Sequence, residues 1–146
     1  MREPAPIHAM LPRLLLAAAI LSAVPAAAQA PGYPLAPLLS SGTSIVGETI
    51  RYPTGGPARV TAAIVTLAPG GRTIAHKHGV PLFAYILDGE LTVDYGTHGT
   101  RTYQQGQAFM EAMDVVHVGI NTGSRPVRIL AVYIGAQGAS DVIPAQ

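Results

Sequence analysis

Residues 76–90, HKHGVPLFAYILDGE, place two histidines one residue apart at the head of an otherwise apolar segment. Only 12% of this 146-residue chain is charged, so two imidazoles entering a segment that reads as buried strand need a reason. Residues i and i+2 of a strand point to one face, so His76 and His78 would enter the same interior together. Just downstream, Asp88-Gly89 separates two apolar runs. Such a dipeptide signals a two-residue hairpin, in which both turn positions take positive φ.

Working outward, short β-branched runs recur at 45–50, 59–67, 83–87, 90–95, 101–103, 108–111, 115–118 and 127–134. Turn residues punctuate them at 54–57, 69–71, 96–99 and 121–123. No stretch keeps a helical period, and there is no internal repeat or second domain. About eight strands at this spacing predict an all-β sandwich or small barrel over residues 45–146.

The N-terminus reads differently. Arg2 and Arg13 precede the apolar run 14–21 and a small-residue tail, the pattern of a secretory signal over residues 1–28. Met10 is an alternative start, and cleavage is expected after Ala28, leaving Gln29 to Gln146. The run is shorter than the roughly 20 residues a membrane span needs. The mature protein is therefore expected to be secreted or periplasmic, with no membrane attachment. Residues 29–44 are rich in Pro, Ser and Gly and read as an extended arm. The chain has no cysteine, which excludes disulfides and thiolate chemistry. Its net charge of +1, with scattered basic residues, argues against a nucleic-acid partner.

Two spaced motifs resemble those of the cupins. The first runs Gly, five residues, His-x-His, three or four residues, Glu, six residues, Gly; here Gly70, His76, His78 and Gly89 fit. The second runs Gly, five residues, Pro-x-Gly, two residues, His, three residues, Asn; here Gly106, His117 and Asn121 fit. The resemblance implies a jelly-roll barrel (a double-stranded β-helix) that brings His117 opposite His76 and His78. Three converging imidazoles each need a partner for a ring nitrogen, and one divalent transition metal per chain would satisfy all of them.

The chain departs from the family pattern in three places. Leu82 stands where the metal-binding glutamate belongs, and Ala112 and Asp114 replace the Pro and Gly of the second motif. The ligand set is therefore His76, His78 and His117. An all-imidazole set suits copper first, then zinc or iron. Counted from Leu82, the inner face continues through Ala84 and Ile86, and Tyr85 faces away.

Glu111 is the one acid inside the second motif. It could reach the metal, shuttle protons beside it as a catalytic residue, or face solvent. The general rule that acids are exposed unless paired favours solvent. His98 reads as a turn residue, His8 as part of the leader, and Asn121 as a turn pin through side-chain to backbone hydrogen bonds.

Three functions are open. The first is a copper or iron oxidoreductase using dioxygen or peroxide. Its ligand set, size and export resemble the small secreted copper cupins that cleave cellulose, which would make Tyr85 and Tyr103 a flat carbohydrate-facing surface. The second is a zinc-type isomerase or hydrolase, with Glu111 as acid/base; the third is a non-catalytic module binding a metal or ligand. The substrate is accordingly a small molecule, such as a phenolic or sugar, or a carbohydrate. The unpaired barrel edges, the arm and the family's habit predict a homodimer.

Overall fold

The computed structural model describes residue 32 and residues 34–146. The expected leader, its cleavage site and His8 lie outside the described residues. Ala36–Gln146 forms one compact unit.

Among the described residues, nine strands run in the order β1 Ala58–Leu67, β2 His76–Lys77, β3 Leu82–Asp88, β4 Glu90–Asp94, β5 Thr100–Gln104, β6 Ala108–Met110, β7 Val118–Ile120, β8 Val127–Ala136 and β9 Ile143–Pro144. They form a four-stranded sheet β1-β8-β3-β6, a three-stranded sheet β5-β4-β7, and a short pair β2-β9. Every pairing is antiparallel. One turn of 3₁₀ helix, Gly96–His98, joins β4 to β5 and leaves His98 exposed.

Alternation explains the core. Ala84 and Ile86 of β3 face inward with Val127 and Ile129 of β8, and meet Leu91 and Val93 of β4. Tyr103 of β5 joins this cluster and stacks on Phe109 of β6, ring centroids 3.7 Å apart. The other face of the large sheet is apolar as well: Val60 and Ile64 of β1 are 63% and 48% exposed. Across the ladder from them lie Ile134 and Leu130, and then Tyr85, which pairs with Leu130.

Three expectations need correction. Residues 45–50 are not a strand: Thr43 and Thr49 form an isolated bridge around a tight turn, with Gly47 at φ +89. The Ser44 hydroxyl donates to the Glu48 carboxylate (2.7 Å) and accepts from the Glu48 N–H (3.1 Å). This local side-chain bonding outcompetes extended pairing. Asp88-Gly89 does not close a hairpin either, since β3 and β4 belong to different sheets. The turn carries the chain between sheets with only Gly89 at positive φ (+77), and a Cβ there would lie 2.7 Å from the Pro126 carbonyl oxygen. Finally, the strand expected at 115–118 begins only at Val118.

Candidate metal centre

His76 and His117 face each other through an isolated antiparallel bridge. The His76 N–H donates to the His117 carbonyl (3.1 Å), and the His117 N–H to the His76 carbonyl (2.9 Å). His78 follows two residues later, and its N–H is held by the Met113 carbonyl at 2.9 Å. The three imidazoles expected to converge do so, with ring centroids 4.6 to 5.1 Å apart. Each offers a ligand atom within 4.8 Å of the others.

The Nδ1 atoms are all engaged by backbone carbonyls: Ile74 for His76 (2.8 Å), Asp141 for His78 (2.8 Å) and Val115 for His117 (2.9 Å). A carbonyl only accepts, so each Nδ1 carries the proton and each Nε2 is left as a bare acceptor turned to the centre. Holding one nitrogen as a donor so that the other can ligate is how proteins orient metal-binding histidines. The donor set therefore fits one metal ion.

Burial disfavours the charged forms. It holds His76 and His117 below the ordinary imidazole value and pulls His78 down to about 4. Neutral imidazoles at neutral pH are what a metal needs.

Glu111 is where the solvent-facing expectation fails. It is 6% exposed, and its N–H donates to the Leu82 carbonyl at 2.9 Å. The carboxyl thus enters beside the position where Leu82 lacks one, from the residue that follows β6. Its Oε2 lies 3.8 Å from His117 Nε2, beyond hydrogen-bond range, and Oε1 accepts the Ala112 N–H at 2.8 Å. Burial pushes its pKa up to about 7, against hydrogen bonds from Tyr95 and the Ala112 N–H.

Two residues at the site were not legible in the sequence. Tyr95 is 1% exposed, with its ring 5.6 Å from that of His117 and its hydroxyl 3.1 Å from the Tyr103 hydroxyl. Burial, then the Glu111 carboxylate, raises its pKa, so the phenol stays protonated. The inward alternation Leu91, Val93, Tyr95 was the available signal. The other is Glu48, whose carboxylate accepts the N–H groups of Met113 and Asp114, each at 2.7 Å. It braces the turn that the family builds with Pro and Gly. Burial works to raise its pKa, but these hydrogen bonds hold it below the usual range.

Asn121 acts as expected. Fully buried, it donates to the Leu67 and Arg125 carbonyls (2.9 and 2.8 Å) and accepts the Gly123 N–H at 3.0 Å. Tyr85 and Tyr103 do not form one surface. Tyr103 is buried in the core, whereas Tyr85 sits on the outer face of the large sheet.

The histidines and Glu111 line a cavity of about 220 Å³ whose other walls are chiefly apolar, among them Leu82, Phe109, Ile129 and Tyr133. Among the described residues, no Lys or Arg lines it.

Residues 63–133 match the cupin domain family model. The fold is a cupin jelly roll. It is similar to the polyketide cyclase RemF from Streptomyces resistomycificus, with a TM-score of 0.52 and 19% identity over 63% of each chain. It is also similar to the oxalate decarboxylase of Lactobacillus farciminis, with a TM-score of 0.51 and 24% identity. That match covers 58% of this chain and 26% of the decarboxylase. At such identities the likeness is one of fold. In sequence, the chain is 29% identical over 98 residues to germin-like protein subfamily 2 member 2 of Arabidopsis thaliana. The matched region is 63% of this chain and 45% of that relative, so the chain spans less than half of the germin-like protein's length.

The shifts set an acid limit on the metal-free protein. For His78 the folded pKa lies below the unfolded 6.5, so the unfolded state binds more protons between those values. Its contribution is complete above pH 6.5 and is lost as pH falls toward about 4. His76 and His117 act in the same direction. Glu111, raised from 4.5 to about 7, acts oppositely: it adds stability as pH falls through that window. His78 and Glu111, shifted by similar amounts in opposite senses, nearly cancel, so His76 and His117 should lower the denaturation midpoint between pH 7 and pH 5. Denaturant melts of metal-free protein check this; a midpoint that rises on acidification would give Glu111 the larger share.

Proposed function

We propose that this cupin is an exported, mononuclear, copper-dependent oxidoreductase using dioxygen or peroxide, with a small uncharged molecule as its substrate. The convergence of three bare Nε2 atoms at the cavity wall carries this reading. His76, His78 and His117 would hold the ion. Imidazole sets suit copper, zinc and iron, and copper leads the affinity order. A copper or iron ion held there would supply one-electron and dioxygen chemistry. Glu111, its pKa near neutrality, would give or take a proton at Oε2 on a ligand beside His117. The apolar walls exclude water from that exchange.

The cavity also supports the small-molecule substrate over cellulose. A space of about 220 Å³ is below the usual range of about 300–1,000 Å³ for ligand pockets. Among the described residues, Tyr52 is the one aromatic among the strongly exposed large apolar side chains, so there is little to stack on a sugar chain. A small dicarboxylate would find the metal ion alone to pair with, because among the described residues no Lys or Arg lines the space.

Metal analysis and electron paramagnetic resonance of protein purified without added metal test the proposal. A Cu(II) signal with nitrogen splitting supports it. A silent, zinc-loaded protein would favour a Lewis-acid isomerase or hydrolase, and protein that retains no metal would favour a ligand-binding module. Export predicts a mature chain beginning near Gln29, which mass spectrometry checks.

The outer face of the large sheet supports a homodimer. Val60 and Ile64 lie exposed on edge strand β1, in register with Ile134 and Leu130 of β8. A second copy would cover this apolar ladder together with the β1 edge, which no described strand pairs. Sedimentation should give a dimer at micromolar concentration, and Val60→Lys with Ile64→Lys should give a monomer. A monomeric parent protein would remove the idea.

A further inference from the structure

The three Nδ1 hydrogen bonds differ in kind. His76 and His117 each donate to the carbonyl two residues back, Ile74 and Val115, so their partners come with their own segments. His78 donates to Asp141, 63 residues away near the C-terminus. One ligand of the three is thus oriented by a remote segment.

That segment is strapped across the site. At its far end β9 pairs with β2, placing Pro144 opposite His76 and Ile143 opposite Lys77, and the Ala145 N–H donates to the Ala75 carbonyl at 2.9 Å. Val142 forms part of the cavity wall. At its near end, one guanidinium nitrogen of Arg59 donates to the Ala139 carbonyl (2.9 Å) and to Asp141 Oδ1 (2.7 Å). Between these ends the strap presses on Gly79, the residue after His78. A Cβ at Gly79 would lie 2.7 Å from the Ser140 carbonyl oxygen and 3.3 Å from Ile143 Cδ1.

We propose that Arg59 is a positioning residue, which latches the strap of residues 139–144 so that the Asp141 carbonyl holds His78 with Nε2 aimed at the metal position. The side-chain partners of Arg59 are Ala139 and Asp141, and Arg59 does not line the cavity. It acts through Asp141, gripping the side chain of the same residue whose carbonyl orients His78. With the latch open, His78 loses its Nδ1 acceptor, its ring is free to turn or change tautomer, and the cavity wall loosens at Val142. This inference rests on the three-histidine metal reading, but its first readout needs no metal.

The experiment compares the parent with Arg59→Ala, Arg59→Lys and Asp141→Ala; the last opens the latch from its other side. Ring-nitrogen NMR of metal-free protein should show the Nδ1–H tautomer at all three histidines of the parent. In Arg59→Ala and Asp141→Ala only the His78 signals should change, with His76 and His117 unmoved. Arg59→Lys, which keeps a cationic donor, should recover part of the parent pattern. Titration with Cu(II) should then show affinity about 10- to 100-fold weaker in the two Ala variants, the usual cost of losing a partner that orients a ligand. Thermal stability should barely change, since the Arg59–Asp141 pair is partly exposed (42% and 21%) and such pairs contribute little. Unchanged His78 signals in both Ala variants overturn the latch. So do signals that change equally at all three histidines, the mark of general loosening. A parent that binds no Cu(II) overturns the metal reading instead, and the tautomer comparison still decides the latch.

Discussion

His117→Ala is expected to abolish tight metal binding and all redox activity while leaving the fold intact. Three ligand atoms within 4.8 Å of one another define the centre, and removing one leaves the two of the His-x-His motif. Losing a partner that merely orients a ligand costs about 10- to 100-fold in affinity; losing the ligand itself should exceed the upper end of that range. The backbone need not move, because His117 is held to His76 by main-chain hydrogen bonds in both directions. The cavity should enlarge, and Tyr95 and Glu111 lose the ring between them and the other histidines. Isothermal titration with Cu(II) and Zn(II), beside a thermal melt of metal-free protein, reads the two effects separately. If His117→Ala binds Cu(II) as tightly as the parent, His76 and His78 act without the second motif and the three-histidine centre is wrong.

The histidines were legible because their signal is local or nearly so. His-x-His needs only the two-residue period of a strand, and His117 was placed by the resemblance to the second cupin motif, through its spacing from Gly106 and Asn121. Most strands were legible for the same reason, their β-branched runs being bounded by turn residues. What failed depended on partners far along the chain. Asp88-Gly89 carries a hairpin's chemistry, but the flanking strands pair with β8 and β5 rather than with each other. The β-branched run at 45–50 lost to a Ser44–Glu48 turn, and Glu48 proved to brace a loop 65 residues away. β2 and β9 are two residues each, too short for any periodicity, yet they hold the C-terminal strap against the site. Glu111 failed for want of a pairing partner. Phe109 is inward, and the register that sets Glu111 beside Leu82 exists only once β6 lies against β3.

That register gives the last expectation its force: Glu111→Gln should leave the metal bound and lower turnover by about 10²- to 10⁴-fold, the range for loss of a general acid or base. Glutamine keeps the size of the side chain and its acceptor for the Ala112 N–H. What it loses is the exchangeable proton. Burial holds the Glu111 pKa at about 7, where a carboxyl can both give and take a proton at neutral pH. The neighbours suit that role: the Tyr95 phenol stays protonated and can only donate toward the carboxylate, and the three imidazoles are held neutral. Among the described residues no other acid lines the cavity, so none of them is placed to replace it. The effect should fall on kcat more than on KM, and the variant's pH profile should lose the limb set by the carboxyl. Equal turnover in parent and variant, with metal content matched, would make Glu111 a packing residue. The carboxyl beside Leu82 would then have no part in proton transfer.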